Sequence, residues 1–488
     1  MLTHIANRDS RTSHPSVSAG STSLSFWPRV REFAVPATMI ETATARRQAG
    51  DWSGACAAAG VDVDLQLRAV ARAHGPEVAA RIRADLRHLA PDLLRWHLPR
   101  IAPHGLLRPG LTVALARYDL PEHDRPGPLY LVVRTPPAWA DAGQRISLTL
   151  WHGSYAVPGV RGHPHPHPHP SRRFRLDLHR HLWDARRTDE LRIRSGLDDR
   201  PAGRAAEAFD PDLWSAVPPD RRCAVDRWAA EAAILLRAEG RGPDGTVSVR
   251  LGGRHRLLLR LDTGENHQGT PVARIAAGTT DPGAAARSPV LPDAATWVLP
   301  DLDLIRSGSI EAGQLHPLVA RALLPELPPA DPAPARSRTA EPAGQPRLVA
   351  CRGERHRIGL VDGALAPLDH DPAEVRREEL LVALTGTPLP CLQAIDEAHR
   401  RPDCLTGVRE RLDHGDIAGA LAVVEGLLGP DAVLRNGPLR DELEAAARRR
   451  ITYGLFRADL FGPGPVHFRP ALDHPMARAP RQRRNAVR

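Results

Sequence analysis

Apolar residues recur along this chain with two different periods, and each change of period marks a change of element. From residue 39 to 100 the spacing is helical. Gly75-Pro76 opens a segment in which Val78, Ile82, Leu86 and Leu89 follow at steps of four, four and three. That spacing puts them on one buried stripe of a helix, which Pro91 ends. Upstream, Gly50-Asp51-Trp52-Ser53-Gly54-Ala55 joins two shorter helical stretches. The Gly can close the first and the Asp can cap the second. Between 101 and 160 the period falls to two. Leu111, Val113 and Leu115 alternate, as do Ile146, Leu148 and Leu150, with the more continuous run Leu129–Val133 between them. Pro- and Gly-bearing stretches separate the three, which predicts an antiparallel meander.

Residues 161–219 are polar and irregular. Asp220 is then placed to cap a helix with Val225, Trp228, Ala232 and Leu235 on one face, stopped at Gly240. A hairpin follows: Val247, Val249 and Leu251 alternate, Gly252-Gly253 turns the chain, and Leu257, Leu259 and Leu261 alternate back. Residues 326–346 are a Pro/Ala/Ser linker. Beyond it, Leu348–Cys351 and Ile358–Val361 can pair around Arg352-Gly353-Glu354. Helices follow, one begun by Asp371-Pro372 and ended by Gly386, another from Pro438 towards Gly454.

The expected fold class is α+β: an N-terminal helical segment, a central antiparallel β-rich region with an inserted helix, and a C-terminal β-hairpin plus helices. The domain limits are a disordered tail 1–38, a helical segment 39–100, a β-rich domain 101–325, the linker 326–346, a hairpin-plus-helical domain 347–464 and a basic disordered tail 465–488. The composition changes at Met39, which makes that residue a candidate for the true start.

Composition narrows the chemistry. All 66 basic residues are arginine. Without lysine, the usual phosphate-loop ATPase, protein-kinase and Schiff-base sites cannot be built. Residues 1–49 and 465–488 together carry +8 of the formal +9, so nucleic acid, if bound, would be held through the Arg-rich tail 465–488. Five scattered cysteines without a C-x-x-C argue against a disulfide scaffold or a zinc ribbon and for reduced thiols in the cytoplasm. No apolar run is long enough for a membrane span, and no secretory signal is visible.

Several motifs fail on their context. Asp396-Glu397-Ala398-His399 spells a helicase-type motif, but it lacks a phosphate-loop lysine and sits in a helical pattern. Asp262-Thr263-Gly264 resembles the aspartic-protease triplet, yet no second copy supplies the paired carboxylate. Cys391 and Cys404 each have a His within about ten positions, which is not geometry. Gly415-Asp416-Ile417-Ala418-Gly419-Ala420 repeats the pattern at Gly50–Ala55. The turn looks like that of tetratricopeptide-type helical hairpins but lacks their fuller spacing, so it reads as two separate helix–turn–helix junctions.

Histidines give the sharpest signal. His163, His165, His167 and His169 alternate with prolines. An extended run of that kind cannot close a compact metal site, and it reads as a solvated loop. Downstream, Phe174-Arg175-Leu176-Asp177-Leu178-His179-Arg180-His181 reads as a strand. Its Asp177, His179 and His181 would share one face and offer a possible zinc site. Missing catalytic fingerprints favour a non-catalytic intracellular interaction or regulatory protein with a protein partner. The alternatives are a metal-dependent hydrolase using that His-x-His strand and a nucleic-acid-associated protein acting through its Arg-rich tail.

Overall fold

The structure is a computed structural model. It describes residues 26–120, 127–153, 165–197, 221–252, 255–262, 272–276, 288–325, 347–361, 364–385, 389–400, 405–428 and 436–460, with 217, 218 and 434 between them. The linker 326–346, the tail 465–488, His163, Asp220, the Thr263-Gly264 part of the protease-like triplet and Cys404 lie outside the described residues.

The fold is α+β, with small, mainly antiparallel sheets among many helices. The first body begins with α1 (Ala37–Gln48) and α2 (Trp52–Ala58). It continues through β1 (Val61–Val63), α3 (Leu67–His74), α4 (Pro76–His88) and α5 (Pro91–His97). On α4 the stripe Val78, Ile82 and Leu86 is buried, as its spacing requires. The expected meander is present as β2 (Thr112–Tyr118), β3 (Leu129–Arg134) and β4 (Ile146–His152), with Val113 opposite Val133 and Val133 opposite Leu148. The sheet order is β1-β4-β3-β2, and β1 pairs parallel to β4 inside the stretch expected to be purely helical. Three residues are too few for alternation to register as a pattern.

A second correction concerns the N-terminal tail. Residues 26–35 are folded, with Phe26, Val30, Ala34 and Val35 buried in the main core. Arg31 donates to Asp301 at 2.7 Å, both side chains being buried. A chain begun at Met39 would lack all of these contacts. The i, i+4, i+8 spacing of Phe26, Val30 and Ala34 is helical, but the Ser/Thr/Arg-rich residues before it dominate the local composition.

The second core lies between α6 (Val225–Ala238) and the sheet β5 (Gly245–Gly252), β6 (His255–Asp262) and β7 (Val272–Ala276). Val249 faces Leu257, in the register that the alternation predicts. The α6 cap expected at Asp220 falls instead at Ala224, without a side-chain bond. The helices α7 (Pro300–Arg306) and α8 (Pro317–Leu323) precede the linker, and after it come β8 (Arg347–Cys351), β9 (Glu354–Val361), β10 (Ala364–Pro367), α9 (Pro372–Thr385) and α10 (Pro390–Arg400). The chain then forms α11 (Leu405–His414), α12 (Ile417–Leu428) and α13 (Pro438–Arg457). Asp396–His399 sit within α10 and not at a strand end.

The C-terminal helices pack back on the first body. Arg95 on α5 is the joint. Its guanidinium donates to Ala34 O at 2.8 Å, Gln144 O at 2.5 Å and His414 O at 2.7 Å. Burial lowers its pKa to about 10, so it stays charged at neutral pH. On the sheet's β1 edge, Tyr453 of α13 donates to Asp62 at 2.7 Å, and Arg457 pairs with Asp62 and Asp64. Replacing Arg95 with Met strands three carbonyls and should destabilise the protein by about 3–5 kcal/mol. Exposed Arg46→Ala should cost less than about 1 kcal/mol. Urea unfolding of both variants checks this, and equal midpoints would refute the role given to Arg95.

Candidate metal centre

Residues 174–181 do not form the expected strand. They run as turns into a 3-10 turn at Arg180–Leu182, touching the β2 edge through a single bridge between Ala114 and Arg175. The two-residue period is therefore lost, and Asp177, His179 and His181 share no sheet face. Arg175 takes the Asp177 carboxylate at 2.7 Å. His179 places Nδ1 2.9 Å from Arg175 O and Nε2 3.2 Å from Glu231. His181 lies edge-on to His179 at 5.7 Å, and burial holds its pKa well below the usual imidazole range. The two histidines come together; Asp177 does not join them.

Burial alone would raise the Glu231 pKa, but hydrogen bonds from His179 and Arg194 outweigh it and pull the carboxyl down to about 2. Arg194 binds it through two nitrogens, at 2.6 and 2.7 Å. The histidine–proline run is equally unlike its expectation. His165 is buried and sits 3.0 Å from Thr135 O, Thr112 donates to His167 O at 2.6 Å, and His169 packs edge-on to Trp151. Described from His165 onward, the run is laid along the sheet, with His165 and Pro170 buried and Pro166 and His167 still exposed to water.

A different set of donors converges after the linker. Cys351, His356, His370 and Cys391 each offer one ligand atom, and the four atoms lie within 4.8 Å of one another. Local structure places each. Cys351 ends β8, and Arg352-Gly353, both at positive φ, turn the chain into β9. Val349 faces His356 and Cys351 faces Glu354, so Cys351 and His356 are diagonal neighbours on one face of the hairpin. His370 lies between two anchored aspartates. Asp369 accepts from Arg357 N at 2.6 Å, and Asp371 accepts from Ala373 N at 2.9 Å at the start of α9. Cys391 is in the first turn of α10, behind buried Leu389.

The ring orientations suit a cation. His356 Nδ1 and His370 Nε2 face each other at 2.6 Å. The outer nitrogens face carboxylates: His356 Nε2 is 3.7 Å from Glu354 and His370 Nδ1 is 3.6 Å from Glu374. Arg352 in turn binds Glu374 and Glu378. A carboxylate within hydrogen-bond reach of the outer nitrogen orients a metal-bound histidine, and Glu354 and Glu374 would have to close by about half an ångström to do so. Both sulfurs are buried, and burial together with a hydrogen bond to Cys351 pushes the Cys391 thiol up to about 11. Zinc bonds of about 2.3 Å to sulfur and 2.0 Å to nitrogen put tetrahedral donors roughly 3.3–3.8 Å apart. To reach that, the two ring nitrogens, now 2.6 Å apart, would separate by about 0.7 Å, and the longest donor separations, up to 4.8 Å, would close by about 1 Å.

Sequence reasoning missed this set because its spacings are long and irregular. The available signal was two reduced cysteines and two histidines within one short domain. Comparison with known proteins finds no family model, no curated protein and no solved structure that matches the chain.

The Glu231 pairs make a prediction. A carboxyl depressed in the folded state adds stability above its ordinary pKa of about 4.5 and loses it as pH falls towards 2. Glu231→Gln should therefore cost about 3 kcal/mol at pH 7, with the deficit shrinking below pH 4.5. Chemical unfolding across pH measures it; a deficit independent of pH would contradict the assignment.

Proposed function

We propose that this chain is a non-catalytic intracellular interaction protein whose C-terminal sheet and helices are held together by one structural zinc ion on Cys351, His356, His370 and Cys391. The observation that carries this reading is the convergence of two thiols and two imidazoles from separate segments into one buried cluster. Two sulfur and two nitrogen donors suit zinc in softness and geometry. Four protein ligands complete a tetrahedron and leave no open position for a reacting water, which separates structural from catalytic zinc sites.

The hydrolase alternative draws no support from Asp177, whose carboxylate is held by Arg175. A reducing compartment fits thiols kept as ligands. With the metal in place the module presents a fixed surface, and a protein partner is the expected target. No helix among the described residues is long and apolar enough to cross a membrane.

Elemental analysis of tag-free full-length protein, dialysed against a weak chelator, tests the reading. It should find about one zinc per chain. Cys391→Ser or His370→Ala should lose that zinc, whereas His179→Ala should keep it. A chain without zinc, or zinc lost on His179→Ala alone, would refute the assignment.

A further inference from the structure

Two thiolates in one centre are also a pair that can be oxidised together. Resting on the zinc reading above, we propose that Cys351 and Cys391 form a reversible oxidation site, at which hydrogen peroxide closes a disulfide and expels the metal.

Three observations carry this. The two sulfurs belong to the same four-donor cluster, within 4.8 Å, so they can join after a small movement. They come from different elements, the end of β8 and the first turn of α10, so a disulfide would keep sheet and helix tied while freeing both histidines. Access is narrow. Both cysteines are buried, yet the turn above them reaches solvent, with the Arg352 side chain 51% exposed and that of Glu354 84% exposed. The His356 side chain, in the same cluster as the sulfurs, is 12% exposed. With both sulfurs buried, a small uncharged oxidant such as peroxide is favoured over a bulky, charged tripeptide disulfide.

The step balances. One thiolate sulfur attacks a peroxide oxygen, the O–O bond breaks, and hydroxide leaves a sulfenic acid behind. The second thiolate attacks that sulfur, the S–S bond forms, and a second hydroxide leaves. The two sulfurs give up two electrons, and peroxide takes them to become two hydroxides. A disulfide is no longer an anionic ligand, so the zinc ion departs with its two positive charges matched by the two hydroxides.

The experiment uses zinc-loaded full-length protein and a chromophoric zinc indicator. With hydrogen peroxide, one zinc should be released for each pair of thiols lost. Peptide mass spectrometry should then find the Cys351 and Cys391 peptides linked and two hydrogens lighter. Dithiothreitol with added zinc should restore the original species. Oxidised glutathione at equal concentration should release zinc at least about tenfold more slowly. Cys56, wholly buried in the main core, should stay unmodified as an internal reference. Zinc retained while other thiols oxidise would overturn this inference and leave the structural site standing. Zinc release without the Cys351–Cys391 link would overturn the disulfide. Equal rates with both oxidants would overturn the access argument, and protein that never held zinc would overturn both readings.

Discussion

Arg95 is the constraint from which the rest of the architecture follows. A guanidinium that is almost wholly buried is costly unless its donors are matched. Here three backbone carbonyls from three distant segments take them: Ala34 before α1, Gln144 before β4 and His414 at the end of α11. Each segment can sit where it does only if the other two are also in place. Its own backbone oxygen accepts from Arg100, which extends the same network towards Gly105. Beside it, Gly143 and Gly415 meet so closely that a Cβ on Gly415 would lie 1.9 Å from Gly143 O. Both glycines have positive φ, so backbone conformation and close approach each call for glycine there.

That joint changes what the proline-rich linker means. Composition at 326–346 marks a boundary in the chain, but the helices after it are fixed to the body before it. His414 meets Arg95, and α13 covers the edge strand β1 with Tyr453 and Arg457. An uncovered edge strand exposes a row of unpaired backbone groups, and charged contacts from a packed helix remove that hazard. The repeated Gly-Asp-x-x-Gly-Ala turns share more than letters. Asp51 accepts from Gly54 N at 2.8 Å and Asp416 from Gly419 N at 2.9 Å. Arg46 and Arg411, each five residues ahead, pair with those aspartates. A Cβ at either glycine would come within 2.1 Å of its capping carboxylate. The two junctions are thus the same local solution, used once on each side of the linker.

What was legible in the sequence was whatever has a short period or a local rule. The meander, the two glycine-bearing hairpins, and the helices opened by Pro76, Pro372 and Pro438 follow from alternation, turn chemistry and proline's fixed φ. What was not legible depends on contacts between distant residues. The three-residue β1 is a strand only because β4 lies beside it. Segment 174–181 alternates like a strand but meets the sheet only at the Ala114–Arg175 bridge among the described residues, so it turns, and His179 goes inward to Glu231. The metal cluster draws on a strand end, a strand interior, a loop and a helix start, and no single window of sequence contains it.

The cluster's position in the chain has a physical reason. The first body has a large apolar core with Trp96, Ile82, Leu86 and Trp183 almost fully buried, and it needs no further tie. Around the hairpin β8–β9 the described residues form one small buried apolar cluster, Cys351, Leu389 and Cys391, with Val349 and Leu392 half-buried beside it; Ile358 on β9 and Ile395 on α10 are buried as well. Leu348, Val361, Leu368 and Leu380 nearby face solvent, so burial there contributes little. Units with cores this small are usually held by a metal or by disulfides. Two of the three residues in that cluster, Cys351 and Cys391, belong to the four-donor group. In this part of the molecule two of the four clustered donors are also part of the small apolar cluster, so an ion held there would tie sheet and helix α10 together where apolar burial alone is modest.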